Sequence, residues 1–257
     1  MRSWLKPLVG AGAVTRTEAV FPCRVEAFNS PGGTFPTSHN RCNLETIQIT
    51  PGWSLIAARA SSQTLRMVFA MSLIGKQVAD FSVQAYDKGD FRTVTKADLL
   101  GKWSVFVFYP ADFTFVCPTE LGDLADVYDE FQKIGCEIYS VSCDTHFVHK
   151  AWHDTSDTIK KIHYPMLADP THALSRDFDV LIEADGTAER GSFVINPQGE
   201  IVAYEVNSGS VGRSAHELLR RVEASQFVSE HGDQVCPANW TPGAATLAPS
   251  LDLVGML

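Results

Sequence analysis

The segment Trp103–Tyr109 constrains the fold of this chain more than any other, because six of its seven residues are apolar or aromatic. A short, continuous apolar run is typical of a strand that is buried on both faces of a sheet. Pro110 ends the run, and the loop Ala111–Val116 follows it. We therefore expect a sheet whose two sides are both covered.

Helical and strand patterns alternate after this run. Pro118 fits the first turn of a helix whose apolar face carries Leu121, Leu124, Tyr128 and Phe131. Residues 137–142 have the pattern of the next strand. Asp144 or Thr145 can cap a second helix, which presents Val148, Ala151, Trp152, Ile159 and Ile162.

The C-terminal part predicts a hairpin, a helix and an irregular tail. Residues 191–195 and 200–206 flank the turn sequence Asn196-Pro197-Gln198-Gly199. Ser214 and Glu217 have the spacing of a capping box, which opens a helix with Leu218, Leu219, Val222 and Phe227. The tail, residues 236–257, is rich in Pro, Ala and Leu. The order of elements predicts an α/β fold with a central mixed sheet flanked by helices.

The charge changes sign along the chain. Residues 1–70 hold seven Lys or Arg against three Glu, a net charge of +4, whereas residues 71–257 hold 14 against 27, a net charge of −13. The first segment shows no sustained period and is interpreted as an extension outside the catalytic unit: an appended or mistranslated leader, a targeting peptide or a small folded domain. Residues 71–257 form the predicted domain. The acidic balance argues against a nucleic-acid partner, and no apolar run is long enough to span a membrane.

Six cysteines are too few for a disulfide-framed secreted scaffold of this length, and no C-x-x-C pair occurs. Cys117 stands out because Pro118 follows it, which makes Cys117 the expected N-cap of the first helix. The free N–H groups of Thr119 and Glu120 would then face its sulfur and favour the thiolate. Thr114 can donate its hydroxyl to the sulfur or to a substrate oxygen. On residue type alone, Cys117 can equally be a small buried side chain.

The spacing of Cys143, His146, His149 and His153 superficially suggests a metal site. The support is only short-range, so no metal is expected. Cys136 and Cys143 are interpreted as packing residues.

The run Phe108-Tyr109-Pro110-Ala111-Asp112-Phe113-Thr114-Phe115-Val116-Cys117-Pro118-Thr119-Glu120 resembles the active-site signature of the peroxiredoxins, P-x-x-x-T-x-x-C. The likeness extends over essentially all of residues 71–257 and is closest to typical two-cysteine members of the bacterial alkyl hydroperoxide reductase type. It implies a thioredoxin-like fold and a thiol-dependent peroxidase that reduces hydrogen peroxide and organic hydroperoxides.

The resemblance also implies roles for individual residues. Cys117 is the peroxidatic cysteine, which a hydroperoxide oxidises to a sulfenic acid. Pro110 shields the pocket, Thr114 positions the peroxide, and Arg190 stabilises the thiolate and orients the peroxide oxygens. Glu120 braces these groups. Cys236 is the resolving cysteine, which forms a disulfide with Cys117 of the partner subunit.

The same resemblance implies no bound cofactor. Electrons would come from an NAD(P)H-dependent flavoprotein disulfide reductase or from thioredoxin, and the protein would be a cytoplasmic homodimer, assembled as a ring of five dimers. Residues 183–187 and the C-terminus lack the inserts that slow disulfide formation in sensitive members, which predicts resistance to overoxidation.

Other functions also begin with a reactive cysteine. A redox-regulated chaperone or a peroxide sensor would use the same cysteines. A cysteine hydrolase needs local signatures that are absent around Cys117. A thiol-disulfide isomerase is disfavoured because Glu120 occupies the position of the second C-x-x-C sulfur.

Overall fold

The computed structural model describes residues 72–256. The predictions for residues 1–70, including Cys23 and Cys42, lie outside this range. The fold contains nine strands and five helices among the described residues, in chain order: β1 Ser82–Asp87, β2 Asp90–Thr95, β3 Trp103–Phe108, α1 Cys117–Asp126, α2 Tyr128–Lys133, β4 Cys136–Ser142, α3 His146–Thr155, β5 Met166–Ala168, α4 Ala173–Asp177, β6 Leu181–Ile182, β7 Thr187–Ala188, β8 Arg190–Ile195, β9 Ile201–Asn207 and α5 Ala215–Glu230.

Seven strands form one mixed sheet in the order β2-β1-β5-β4-β3-β8-β9, and β6 pairs with β7 separately. β3, β4 and β5 run parallel, whereas β8 is antiparallel to β3 and β9 is antiparallel to β8. This confirms the predicted mixed sheet and the hairpin around residues 196–200.

The strand β3 is buried on both faces, as its sequence predicts. Val105 and Val107 pack in one core cluster with α1 and α5, whereas Phe106 and Phe108 pack on the opposite face with Phe178. Tyr109 follows β3, is fully buried, and still donates its N–H to the Val141 carbonyl of β4. The chain leaves the sheet at the next residue, Pro110. This exit point positions the loop that leads to Cys117.

Two helices differ from the sequence prediction. The helix expected to carry both Leu121 and Phe131 is broken at Val127, whose ψ of 8° ends α1 before α2 begins. Both side chains are nevertheless buried. The helix expected to reach Ile162 ends at Thr155, and a short 3₁₀ turn carries Ile159.

The predicted caps also differ from what the structure shows. Thr145 flanks α3 without a side-chain cap hydrogen bond, and Ala151 is exposed rather than part of the apolar face. Ser214 does cap α5 by accepting a hydrogen bond from the Glu217 N–H. The Glu217 carboxylate instead pairs with Arg220 and Arg221. The tail after α5 is irregular apart from the 3₁₀ turn Leu251–Leu253.

Candidate active site

Cys117 is the first residue of α1 and is completely buried. The prediction that it is the N-cap is wrong, because Val116 already has helical angles and precedes it as the cap. The N–H groups of Thr119 and Glu120 donate to the Val116 carbonyl at 3.0 and 3.3 Å rather than to the sulfur. The expected donation from these two N–H groups to the sulfur is therefore not formed, although Cys117 lies in the first turn of α1.

Arg190 supplies the positive charge at the sulfur. It begins β8, on the strand next to β3, and its Nη1 donates to Cys117 Sγ at 3.4 Å. Its Nε donates to the Gly209 carbonyl at 2.8 Å, which fixes the plane of the guanidinium. Burial alone would lower the pKa of Arg190, but the hydrogen bond to Cys117 and the charge of Glu120 outweigh burial and raise it. A permanent cation thus faces the thiol.

Glu120 lies one turn after Cys117 on α1 and is 4 % exposed. Its Oε2 accepts from Arg190 Nη1 at 2.6 Å, and its Oε1 accepts from the backbone N–H and Nε of Arg213 at 2.9 and 2.8 Å. One carboxylate therefore holds two buried guanidinium groups. The bracing role that the resemblance implies for Glu120 stays a prediction, and these contacts are the geometry it requires.

Arg213 was not identified in the sequence. It lies 93 residues after Glu120 along the chain, and its only local signal is that it precedes Ser214, the cap of α5. Its Nη1 also donates to Ser192 on β8 at 3.2 Å. Arg213 therefore ties the start of α5 to both α1 and the sheet.

Thr114 and Pro110 lie in the loop before Cys117. The Thr114 hydroxyl donates to the Ala111 carbonyl at 2.9 Å, and no hydrogen bond within residues 72–256 joins it to the sulfur. The Thr114 oxygen keeps its lone pairs for a ligand, because a hydroxyl both donates and accepts. Pro110 is half-buried at the end of β3. The expected donation from Thr114 to Sγ is not formed here.

Cys236 lies elsewhere in the chain, beyond α5. Its sulfur is 3.9 Å from the Ala224 carbonyl, and it borders a cavity of about 460 Å³ lined partly by Trp103, Val202 and Val235. Burial raises the pKa of the Cys236 thiol, and the nearby Arg220 opposes this shift. Both Cys117 and Cys236 are free thiols, so a single chain does not join them in this state.

Cys136 and Cys143 form hydrogen bonds away from Cys117, to the Glu137 carbonyl and the Ser175 hydroxyl. Burial raises the pKa of the Cys136 and Cys143 thiols, as it also does for Cys236. No group of three or more His, Cys, Asp or Glu within residues 72–256 is placed to hold a metal ion. Among the same residues, every helix is too short or too polar to cross a membrane.

Residues 74–204 match the AhpC/TSA family, and residues 224–256 match the C-terminal domain of 1-Cys peroxiredoxin. Alkyl hydroperoxide reductase C of Salmonella typhimurium is 58 % identical over 187 residues, which cover 73 % of this chain and 100 % of that protein. The protein of the same name from Bacillus subtilis is 54 % identical with the same coverage.

Two solved structures are similar to this chain. The AhpC of Enterococcus faecalis has a TM-score of 0.64 and 57 % identity, covering 65 % of this chain and 100 % of its own. The reduced 2-Cys peroxiredoxin of Plasmodium vivax has a TM-score of 0.68 and 33 % identity, covering 71 % of this chain and 96 % of its own. The AhpC/TSA match includes Cys117, Glu120 and Arg190.

Proposed function

This chain belongs to the AhpC/TSA family of peroxiredoxins and is a thiol peroxidase, and from this premise we propose that Cys117 is its peroxidatic residue. The observation that carries the proposal is the contact of 3.4 Å between Arg190 Nη1 and the buried Cys117 sulfur. A fixed cation beside a thiol favours the thiolate, which is the nucleophilic form.

The first step oxidises Cys117. The thiolate attacks the terminal oxygen of a hydroperoxide, an S–O bond forms and the O–O bond breaks. The alkoxide leaves and takes up one proton to become an alcohol, or water when the substrate is hydrogen peroxide. The sulfur loses two electrons and becomes a sulfenic acid. Arg190 faces the oxygens on which negative charge develops, and the lone pairs of Thr114 accept from the hydroperoxide O–H.

The second step uses Cys236. Its thiolate attacks the sulfenic sulfur, a disulfide forms, the S–O bond breaks, and hydroxide leaves to become water with one proton. Cys236 borders a cavity whose lining includes none of Cys117, Glu120 and Arg190, which supports a partner subunit's Cys117 as the target. Because Cys117 is completely buried, the segment around it must open before the two sulfurs meet.

The remaining parts of the proposal follow from the family. The substrates are hydrogen peroxide and organic hydroperoxides, in line with the name alkyl hydroperoxide reductase carried by the relatives. A flavoprotein disulfide reductase that uses NAD(P)H, or thioredoxin, returns two electrons to the disulfide. A homodimer, its assembly into five dimers, a cytoplasmic location, resistance to overoxidation and a role for Pro110 in shielding the sulfur stay predictions.

Stopped-flow measurement of peroxide consumption tests the proposal. Cys117→Ser abolishes the reaction. Cys143→Ser is the matched control, because the side-chain hydrogen bond of Cys143 within residues 72–256 joins it to the Ser175 hydroxyl and not to the Cys117 cluster. Cys236→Ser consumes a first equivalent of peroxide and then stops. Wild-type kinetics in Cys117→Ser would contradict the proposal. Stoichiometric oxidation without NAD(P)H turnover in the presence of either reductase would favour a sensor or chaperone instead.

A further inference from the structure

A buried polar network lies beside the Cys117 loop and has no part in the chemistry above. The Asp112 carboxylate accepts from the Tyr109 hydroxyl through Oδ1 at 2.7 Å and bonds His149 Nδ1 through Oδ2 at 2.8 Å. Tyr109 and His149 are fully buried, and the side chain of Asp112 is as well. Burial raises the pKa of Tyr109 well above its usual value, with Asp112 adding to the shift, so the phenol remains a donor.

The partners of His149 determine its protons. His149 Nε2 lies 3.0 Å from the Leu167 carbonyl, which can only accept, so Nε2 carries a hydrogen. His149 Nδ1 faces a carboxylate oxygen, and a hydrogen bond between these two atoms requires a second proton. Hydrogen bonds at both ring nitrogens therefore fix the orientation of His149 between Asp112 and the Leu167 carbonyl.

This pair fixes the first half of the loop that ends at Cys117. The backbone N–H of Asp112 donates to Asp144 Oδ2 at 2.8 Å, which adds a second tie. Phe113 follows with a φ of 55°, a left-handed conformation that is costly for a residue with a side chain. The centroid of its ring lies 5.9 Å from the centroid of the Trp152 ring. Trp152 lies one turn after His149 on α3. Such a conformation persists only where neighbouring contacts hold it.

We infer that His149 is a positioning residue that acts through Asp112 to hold the Cys117 loop in its closed, peroxide-reactive form. The inference rests on the proposed function. In the closed form Cys117 lies against Arg190 and reacts with peroxide, and in an open form it meets Cys236. Loss of the His149 tie releases the strained segment at Phe113 and shifts the balance towards the open form. Reaction with peroxide then slows, and the sulfenic acid goes to the disulfide more often than to sulfinic acid.

Two variants each remove one hydrogen bond to Asp112. In His149→Gln the side-chain amide can still reach the Leu167 carbonyl but loses the donor at the Nδ1 position. Tyr109→Phe deletes a single oxygen and keeps the buried ring. It therefore serves as the test if His149→Gln does not fold. The matched control is His153→Gln, which makes the same change one turn later on α3, where the ring contacts Tyr86 and the Ile162 carbonyl.

The full chain is treated with hydrogen peroxide, with two readouts. The first is the rate constant of Cys117 oxidation, which we expect to fall about tenfold in His149→Gln, since small misplacements of reacting groups cost this much or more. The second is the ratio of Cys117 sulfinic acid to disulfide by intact mass, at peroxide levels that give both products in the wild type. We expect this ratio to fall at least about threefold in His149→Gln and in the same direction in Tyr109→Phe, as the population of the open form rises.

The ratio separates positioning from a lower concentration of active protein, because it compares two products of the same oxidised cysteine. A slower rate with an unchanged ratio, or values equal to those of His153→Gln in both variants, would overturn the inference. If the wild type and His153→Gln do not oxidise at Cys117 at all, the proposed function fails and this inference fails with it. An active wild type with an unaffected His149→Gln contradicts the inference alone.

Discussion

Arg190 Nη1 lies 3.4 Å from the sulfur of Cys117 and 2.6 Å from Oε2 of Glu120, so one nitrogen serves both the thiol and the carboxylate. Because the carboxylate is only 4 % exposed, water does not screen its attraction to the guanidinium. Glu120 therefore limits how far Arg190 can move from the sulfur. The negative charge of Glu120 thus helps to keep the positive charge of Arg190 beside the sulfur.

Replacement of Arg190 by Met tests the role of this cation in the reaction. We expect Arg190→Met to lower the rate constant for Cys117 oxidation by about 10² to 10³, the usual effect of removing a fixed donor from developing charge. Stopped-flow kinetics with hydrogen peroxide measures the change. Arg176→Met is the control, because Arg176 is an exposed residue paired with Glu183 at the surface. A loss below threefold in Arg190→Met, or an equal loss in the control, would contradict the assignment.

Glu120→Gln tests the bracing role through stability. The substitution leaves two buried guanidinium groups, those of Arg190 and Arg213, without their shared negative charge. We expect the free energy of unfolding to fall by about 3 kcal/mol, as when one partner of a buried ion pair is removed. Urea unfolding measures this change. Glu183→Gln, at an exposed ion pair, should leave the free energy of unfolding nearly unchanged. Equal losses in the two variants would rule out the bracing role.

Gly191 follows Arg190 in β8, at a position with little room for a side chain. A Cβ there would lie 2.7 Å from Phe193 Cε2 and 2.8 Å from Val180 Cγ1, both in buried side chains. Gly191→Ala should lower the free energy of unfolding by about 1 to 3 kcal/mol through overpacking. Gly209→Ala is the comparison, since a Cβ at Gly209 meets open space. Thermal and urea unfolding of both variants measures the difference. If the free energy of unfolding of Gly191→Ala equals that of the wild type, β8 can move enough to accept the extra carbon.

Glu217 predicts a pH dependence of stability near the start of α5. The hydrogen bond from Arg220 lowers the pKa of Glu217 from 4.5 to about 2 in the folded chain. The carboxylate therefore stabilises the fold above pH 4.5, and this contribution is lost as the pH falls towards 2. Its size stays below about 1 kcal/mol, because the side chain is 39 % exposed and solvent screens the pair.

Urea unfolding of the wild type and Glu217→Gln between pH 2 and 7 measures this contribution. The difference in the free energy of unfolding should be constant above pH 5 and should shrink towards zero near pH 2. Glu230→Gln, at the opposite end of α5, provides the reference for a general change in charge. A difference between wild type and Glu217→Gln that does not vary with pH would exclude the ion pair as its source.

Local sequence patterns predicted the structural features that depend on interactions between residues close together in the chain. The apolar run at β3, the turn residues at 196–199 and the cap at Ser214 each depend on neighbours within a few residues, and each prediction was confirmed. The prediction of one continuous helix through Phe131 was wrong, because the chain breaks at Val127. The apolar residues of α1 and α2 are buried in the same core without a continuous helix. The N-cap was placed one residue late because sequence does not show that Val116 already has helical angles.

The amino-acid sequence by itself determined the α/β alternation, the strand that delivers the chain to Pro110, and the placement of Cys117 at a helix start. Only the tertiary structure decided what surrounds that sulfur. Glu120, Arg190 and Arg213 come from α1, β8 and the start of α5, and their charges meet only when these elements pack. The same holds for Asp112 and His149, which are 37 residues apart. Buried charges need partners, and no local pattern specifies partners so distant in the chain.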